Sequence, residues 1–256
     1  MRSLAIVIPA YNEEGCIRQC LESIALQSEK PDEVIVVDNN STDKTAEIAR
    51  SFPFVKVIKE SKQGISHAHH AGFNVAKSSY IARIDADSFL KEDWVSRVKI
   101  FYALSKNGRA CLVGSGYARN LRFRTTSNYI SNVAFVFTRT LLGHWAFWGP
   151  NMVMPRECWN EIGPKTCEEK PWTYDDLDLS LHAHEEGYKI YWDHRLIVGV
   201  RLRHLKTFRK FVYYNMRWPR TLRAHGNKRW VYSWPAVAIF SILHFPLLYI
   251  LSSKNE

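Results

Sequence analysis

Three short apolar runs, each ending in a polar or acidic cluster, constrain this chain more than anything else in it. Ile6-Val7-Ile8 leads into Pro9-Ala10-Tyr11-Asn12-Glu13, Val34-Ile35-Val36-Val37 into Asp38-Asn39-Asn40, and Tyr80-Ile81-Ala82-Arg83-Ile84 into Asp85-Ala86-Asp87. Each run has the length and β-branched content of a buried strand. Helical patterns lie between them. Ile17, Cys20, Leu21 and Ile24 share one face of a helix expected over about residues 13–26, and Ala68, Ala71, Gly72 and Val75 share another. Alternating strands and helices imply an α/β fold with a mostly parallel sheet, whose ligands sit beyond the carboxyl ends of the strands. The three polar clusters therefore meet at one sheet edge. A diphosphate ligand with a divalent metal would explain the carboxylates gathered there. Cys111-Leu112-Val113 and Met152-Val153-Met154 read as further strands of the sheet.

Asp85 and Asp87, two apart at a strand end, can project to the same side and share one cation. Their hard oxygens suit Mg2+ or Mn2+, against the simpler reading of a solvated turn. His204 follows the strand-like run from Ile197 to Leu202. A neutral imidazole there can bind Mn2+ or a phosphate oxygen, or belong to a basic surface between Arg203 and Lys206. Asp175 and Asp176 open a helix with Leu177, Leu181 and Ala183 on its apolar face, where acids ordinarily cap and favour the dipole. Asp38 can accept from a nucleobase imide and Tyr11 can stack on the base, while Pro9 and Asn12 also fit plain turn chemistry. His67, His69 and His70 lack the i, i+4 spacing that brings two metal ligands together.

Charge divides the chain. Residues 1–193 carry 23 Lys/Arg against 24 Asp/Glu and residues 194–256 carry 12 against one, so the net +10 resides in the last quarter. From Phe208 to Trp230 aromatics interleave with Arg209, Lys210, Arg217, Arg220, Arg223, Lys228 and Arg229. Val231 to Leu251 then holds 21 residues without Asp, Glu, Lys or Arg, the length of one membrane span. Pro235, His244 and Pro246 leave open a two-proline hairpin lying in the interface. A nucleic-acid partner is not expected, because the segment beside the basic run is greasy rather than polar. The five cysteines are odd in number and lack paired Cys-x-x-Cys spacing, as expected of small hydrophobes in a reducing compartment. The first strand starts almost at once, so no signal peptide is expected. The aromatic stretch from Tyr129 reads first as a core helix; from Gly143 to Trp148 an acceptor wall is an equal alternative.

Taken in order, six segments carry a family resemblance. Ile8-Pro9-Ala10-Tyr11-Asn12-Glu13-Glu14, Val37-Asp38-Asn39-Asn40-Ser41-Thr42-Asp43, Asp85-Ala86-Asp87, Trp148-Gly149-Pro150-Asn151-Met152, Tyr174-Asp175-Asp176-Leu177-Asp178-Leu179 and His204 resemble the signature segments of family 2 glycosyltransferases. The likeness covers about residues 3–205 and implies the GT-A fold, an inverting mechanism and a nucleotide-diphospho-sugar donor. It makes Asp176 the general base, Asp87 the direct metal ligand, Asp85 a ribose or metal contact, and His204 a metal or diphosphate contact. Pro9, Ala10, Tyr11, Glu13, Asp38, Asn40, Gly64, Ser66, His69, Asp85 and Ala86 fall to the donor. Trp148, Gly149, Asn151 and Asp175 fall to the acceptor. Two positions depart from the pattern: Asp175 stands where the family has Glu, and His69-His70 where it usually has Arg-Asn. The helix dipole is expected to keep Asp176 a weak, fully ionised base.

The domain plan expected is a catalytic unit over 1–206, with its donor half at about 1–110 and its acceptor half at 111–206, then a membrane-associating segment over 207–256. The expected activity is glycosyl transfer with Mg2+ or Mn2+ to a hydroxyl or phosphate acceptor, lipid-linked or polysaccharide, on the cytoplasmic face of the cell membrane. The basic run immediately before Val231 places the catalytic unit there by the positive-inside rule, with membrane lipids as partners. The alternatives are an inactive, membrane-anchored homologue or binding module, and a sugar nucleotidyltransferase. The last would need a Gly-rich basic loop after the first strand, which Pro9-Ala10-Tyr11-Asn12 does not supply.

Overall fold

The computed structural model describes residues 2–120, 123–166, 173–201 and 207–252. Eight strands form one sheet in the order β3-β2-β1-β4-β7-β6-β8-β5. The three apolar runs are β1 (Leu4–Ala10), β2 (Glu33–Asp38) and β4 (Tyr80–Arg83), and β3 (Val55–Lys59) lies at the edge. These four are parallel neighbours. Both faces of β1 are covered, so all seven of its residues are buried, which is why it reads as continuously apolar instead of alternating. Beyond β4 the sheet is mixed: β7 (Met152–Pro155) runs antiparallel to β4 and to β6 (Ala110–Ala118). β8 (Lys189–Val200) is parallel to β6, with a bulge opposite Gly114/Ser115, and β5 (Phe89–Leu90) pairs antiparallel to it.

The helices pack where the apolar spacing predicts. α1 (Ile17–Ala25) buries Ile17, Cys20, Leu21 and Ile24 on one side of the sheet. α3 (Ile65–Val75) buries Ala68 and Gly72 on the other. Gly72 is there because of space: a Cβ would lie 2.3 Å from Val7 Cγ1 and 2.9 Å from Val37 Cγ2. The turn before α2 (Thr45–Arg50) does more than cap that helix. Asp43 Oδ1 accepts from Thr45 N–H at 3.0 Å and its Oδ2 accepts from Glu14 N–H at 3.0 Å, so the turn ties the β2 loop to the β1 loop. α4 (Trp94–Leu104) follows β5 and α5 (Arg124–Leu142) follows β6. α6 (Arg156–Ile162) follows β7, and α7 (Asp175–Glu185) leads into β8.

The chain after β8 departs most from expectation. It forms α8 (Phe208–Asn215), α9 (Arg217–Ala224) and α10 (Trp230–Ser252). These pack onto the body. Thr221 Oγ1 accepts from Tyr174 N–H at 2.7 Å, Asn215 Nδ2 donates to the buried Ser241 Oγ at 3.1 Å, and Phe240 stacks on Phe137 with ring centroids 5.1 Å apart. α10 runs through Pro235 and Pro246 as one helix, so the proline hairpin does not form. Nor is the expected span at 231–251 supported: among the described residues no helix is long and apolar enough to cross a membrane. One flank of α10 packs against α5, α8 and α9.

Candidate active site

A cavity of about 640 Å³ opens at the carboxyl ends of β1 and β4. The end of β1 and the loop after it contribute Pro9, Ala10, Tyr11 and Glu13 to its wall, and the loop after β4 contributes Asp85, Ala86 and Asp87. Trp148, Asp175 and Asp176 close the opposite side. Four segments far apart in sequence thus meet here; the clusters after β1 and β4 do so as expected, and of the β2 cluster Asn39 joins the wall.

A buried cation organises the carboxylates. Arg83, at the end of β4, donates from Nη1 to Asp175 Oδ2 at 2.7 Å and from Nη2 to Asp85 Oδ1 at 3.2 Å. Burial opposes its charge, but Asp175, Asp85 and Asp176 outweigh burial and hold the guanidinium protonated. Burial alone would raise Asp175; Arg83 reverses this and keeps its carboxyl below the usual range. Asp85 is raised, by desolvation first, with Arg83 pulling the other way and Asp87 adding to the rise. Gly149 packs against this guanidinium, where a Cβ would lie 2.5 Å from Arg83 Cζ.

Asp176 is buried at the start of α7. Its Oδ2 accepts from Gly149 N–H at 3.0 Å and its Oδ1 from Leu177 N–H at 3.1 Å. The expectation of a dipole-depressed carboxylate fails here. Burial and the neighbouring Asp175 charge raise its pKa to about 7, and Arg83 and the Gly149 N–H only partly offset them. Desolvation of a carboxylate outweighs the dipole of one helix end.

A second cavity, of about 320 Å³, lies beside the first. It is walled by α5 and the C-terminal helices, with Ile130, Phe135, Phe137, Trp218, Val237 and Phe240 facing it. Trp148, Tyr174, Asp176 and Val200 border both cavities. The aromatic stretch is therefore a helix, α5, and with Ala146, Phe147 and Trp148 it also forms part of this cavity's wall.

The Glycosyl transferase family 2 model matches residues 5–157. The chain belongs to this family. It is 41% identical over 109 residues to the 4,4'-diaponeurosporenoate glycosyltransferase of Staphylococcus aureus, a match covering 40% of this chain and 29% of that protein. It is 35% identical over 88 residues to the Escherichia coli glycosyltransferase YibD, covering 33% and 26%. The chain thus spans little more than a quarter of either relative. Among solved structures, the mannosyltransferase PcManGT of Pyrobaculum calidifontis in complex with GDP-Man and Mn2+ superposes with a TM-score of 0.69 at 16% identity, over 99% of this chain and 76% of that one. The S. aureus TarS 1-349 complex with UDP-GlcNAc gives 0.63 at 16% identity, over 84% and 66%. These likenesses show the fold, a mixed α/β GT-A sheet.

Several residues expected at the site of this family 2 chain serve the loops behind it. Asp38 Oδ1 accepts from Ser41 N–H at 3.0 Å. Asn40 takes a left-handed φ of 64° and donates to the Ser61 carbonyl at 2.6 Å. Gly64 N–H donates to Asn39 Oδ1 at 2.8 Å. Ser66 and His69 line a narrow crevice behind Asp175, where His69 Nδ1 is 3.5 Å from Asp175 Oδ2. His69 is buried and neutral, its pKa driven down by burial and by Arg83. Arg83 supplies the positive charge that His69 does not. Asn151 is fully buried, accepting from Trp94 Nε1 at 2.9 Å and donating to the Ser115 and Leu196 carbonyls at 3.0 and 2.7 Å. It locks β7, β6 and β8 together and does not line either cavity. His204 lies outside the described residues.

Sequence reasoning missed Arg83, Asn39, Tyr174, Arg201 and Tyr214, all at the first cavity. A lone arginine inside the β4 run is the one readable signal. Among the described residues, the group of three or more ligating side chains close enough to share an ion is Asp178, His182 and His225. Asp178 and His182 have the i, i+4 spacing that His67, His69 and His70 lack.

Proposed function

We propose that this chain transfers a sugar from a nucleotide-diphospho-sugar to a hydroxyl on an acceptor with an apolar body, with inversion. The observation that carries this reading is Asp176, a buried carboxylate with a pKa of about 7 in the wall common to a polar cavity and an apolar one. The donor belongs in the polar cavity, where Tyr11, half exposed on the rim, offers a face to the nucleobase. The fold neighbours PcManGT, bound to GDP-Man, and TarS, bound to UDP-GlcNAc, support a donor of this class. Asp85 and Asp87 present hard carboxylate oxygens to that cavity, a donor set suited to Mg2+ or Mn2+. They would hold the ion, which supplies positive charge opposite the diphosphate leaving group.

Asp176 then takes the proton of the acceptor hydroxyl as its oxygen displaces the nucleoside diphosphate at the anomeric carbon. A base poised near neutrality suits a hydroxyl acceptor, whereas a phosphate acceptor would arrive already ionised. Gly149 N–H holds Asp176 Oδ2 in place, leaving its orientation set before the acceptor binds. The apolar cavity takes the acceptor body, consistent with the diaponeurosporenoate in the name of the S. aureus relative. Val231, Tyr232, Ile239, Ile242 and Leu243 are exposed on α10. We place this face and the basic α8–α9 segment against the cytoplasmic membrane surface, where such an acceptor would reside. Flotation with anionic vesicles should carry the protein upward; a protein left at the bottom refutes that placement.

Thermal shift against UDP-, GDP- and dTDP-sugars tests the donor. One of them should raise Tm only when Mn2+ is present, and Asp87→Ala should lose that dependence. Equal nucleotide binding by Asp87→Ala with Mn2+ would remove the metal from this pair. For the acceptor, Ala134→Trp should fill the apolar cavity, lowering transfer at least tenfold while the donor-induced Tm shift stays parental. Unchanged transfer would place the acceptor elsewhere.

A further inference from the structure

The helix that carries Asp176 presents a second polar cluster that sugar transfer leaves unused. Asp178 and His182 stand one turn apart on α7, and His225 comes from the end of α9. Asp178 Oδ1 is 2.8 Å from His225 Nε2 and 3.9 Å from His182 Nε2. The two imidazole rings are 4.6 Å apart between centroids. The side chains of Asp178, His182 and His225 are only 4%, 14% and 5% exposed, so water competes little for them.

Two details point inward to a ligand. His182 Nε2 is buried with no hydrogen-bond partner, an uncommon state for a buried polar atom. On the outer side, Glu185 sets one carboxylate oxygen 3.4 Å from His182 Nδ1 and the other 3.7 Å from His225 Nδ1. A carboxylate behind the outer nitrogen favours the tautomer that turns the Nε2 lone pair inward, as the outer shell of a metal site does.

We propose that Asp178, His182 and His225 form a second divalent-cation site, of Zn2+ type, that clamps α9 to the catalytic helix α7. Two imidazole nitrogens and one carboxylate oxygen are a borderline set that suits Zn2+ or Co2+, unlike the all-oxygen pair Asp85 and Asp87. The three ligating atoms already lie within 4.8 Å of one another. Binding takes over the Nε2 position that His225 now turns to Asp178 Oδ1, and the imidazole proton then sits on Nδ1, on the side of Glu185. The clamp would add to the Tyr174–Thr221 hydrogen bond, the Arg217 contacts to Thr173 and Tyr174, and the apolar packing around Leu222 that already join the two helices.

The test uses full-length Asp87→Ala protein, in which the oxygen pair is disabled, stripped with chelator and titrated with Co2+ and Zn2+. One equivalent of Co2+ should give the visible absorption of a low-symmetry nitrogen–oxygen site, and Zn2+ should displace it and raise Tm. Adding His182→Ala should weaken Zn2+ binding at least 30-fold and abolish the absorption. Should His182→Ala misfold, His182→Asn replaces it, with the same expectation. No stoichiometric binding in the Asp87→Ala protein, or binding unchanged by both substitutions at His182, overturns the proposal. Neither outcome bears on the donor reading, which stands on Mn2+-dependent nucleotide binding.

Discussion

Asp176→Asn should lower kcat by about 10²–10⁴-fold, the usual contribution of a positioned general base, with donor affinity unchanged. The same substitution should make the protein more stable at high pH. The folded pKa of Asp176 is raised from 3.8 to about 7. Between those values the folded chain holds a proton that the unfolded chain has lost, so stability falls as pH rises through that window. Asn carries no such penalty. The Tm difference between variant and parent should therefore widen from pH 4 to pH 8, in the variant's favour. The parent's kcat should climb with pH and level off above about 7. A variant less stable at every pH, losing donor affinity in step with rate, would mean that Asp176 is a helix cap or donor ligand.

Arg83→Met should be the most destabilising single change at the site. It strands Asp175 and Asp85, both within hydrogen-bond distance of the guanidinium, together with the nearby Asp176. Removing one partner of a buried ion pair costs about 3–5 kcal/mol, or roughly 10 °C in Tm for a chain of this size. Adding Asp175→Asn should recover part of the loss, because it removes one of the stranded charges. A loss below about 1 kcal/mol with no coupling between the two substitutions would show that the guanidinium is not what keeps these carboxylates together. Denaturant unfolding of the four proteins of the cycle decides it.

Local pattern makes the donor side legible. Buried parallel strands announce themselves as apolar runs, and the polar residues following them must gather at one edge, so Tyr11, Glu13, Asp85 and Asp87 fall together from the amino-acid order alone. What escapes is tertiary. Whether Asp38 faces a ligand or its own turn depends on loop geometry that period and composition do not encode. Asn151 carries a site-like sequence context yet commits its amide to Trp94, Ser115 and Leu196. The raised pKa of Asp176 is hidden because dipoles can be read from helix position but burial cannot. α10 resembles a membrane span because a run of 21 residues without Asp, Glu, Lys or Arg looks the same whether lipid surrounds it or other helices pack along one flank.

The polar and apolar cavities meet at Asp176 but rest on different parts of the chain. One hangs from strand ends held in register by the sheet; the other is enclosed largely by side chains of α5, α8, α9 and α10. On the proposed reading, substitutions at Ile130, Val237 or Phe240 would reshape what receives a sugar while leaving untouched the ladder that presents the sugar's carrier. A change of donor, by contrast, would mean disturbing β1 and β4 at the centre of the sheet.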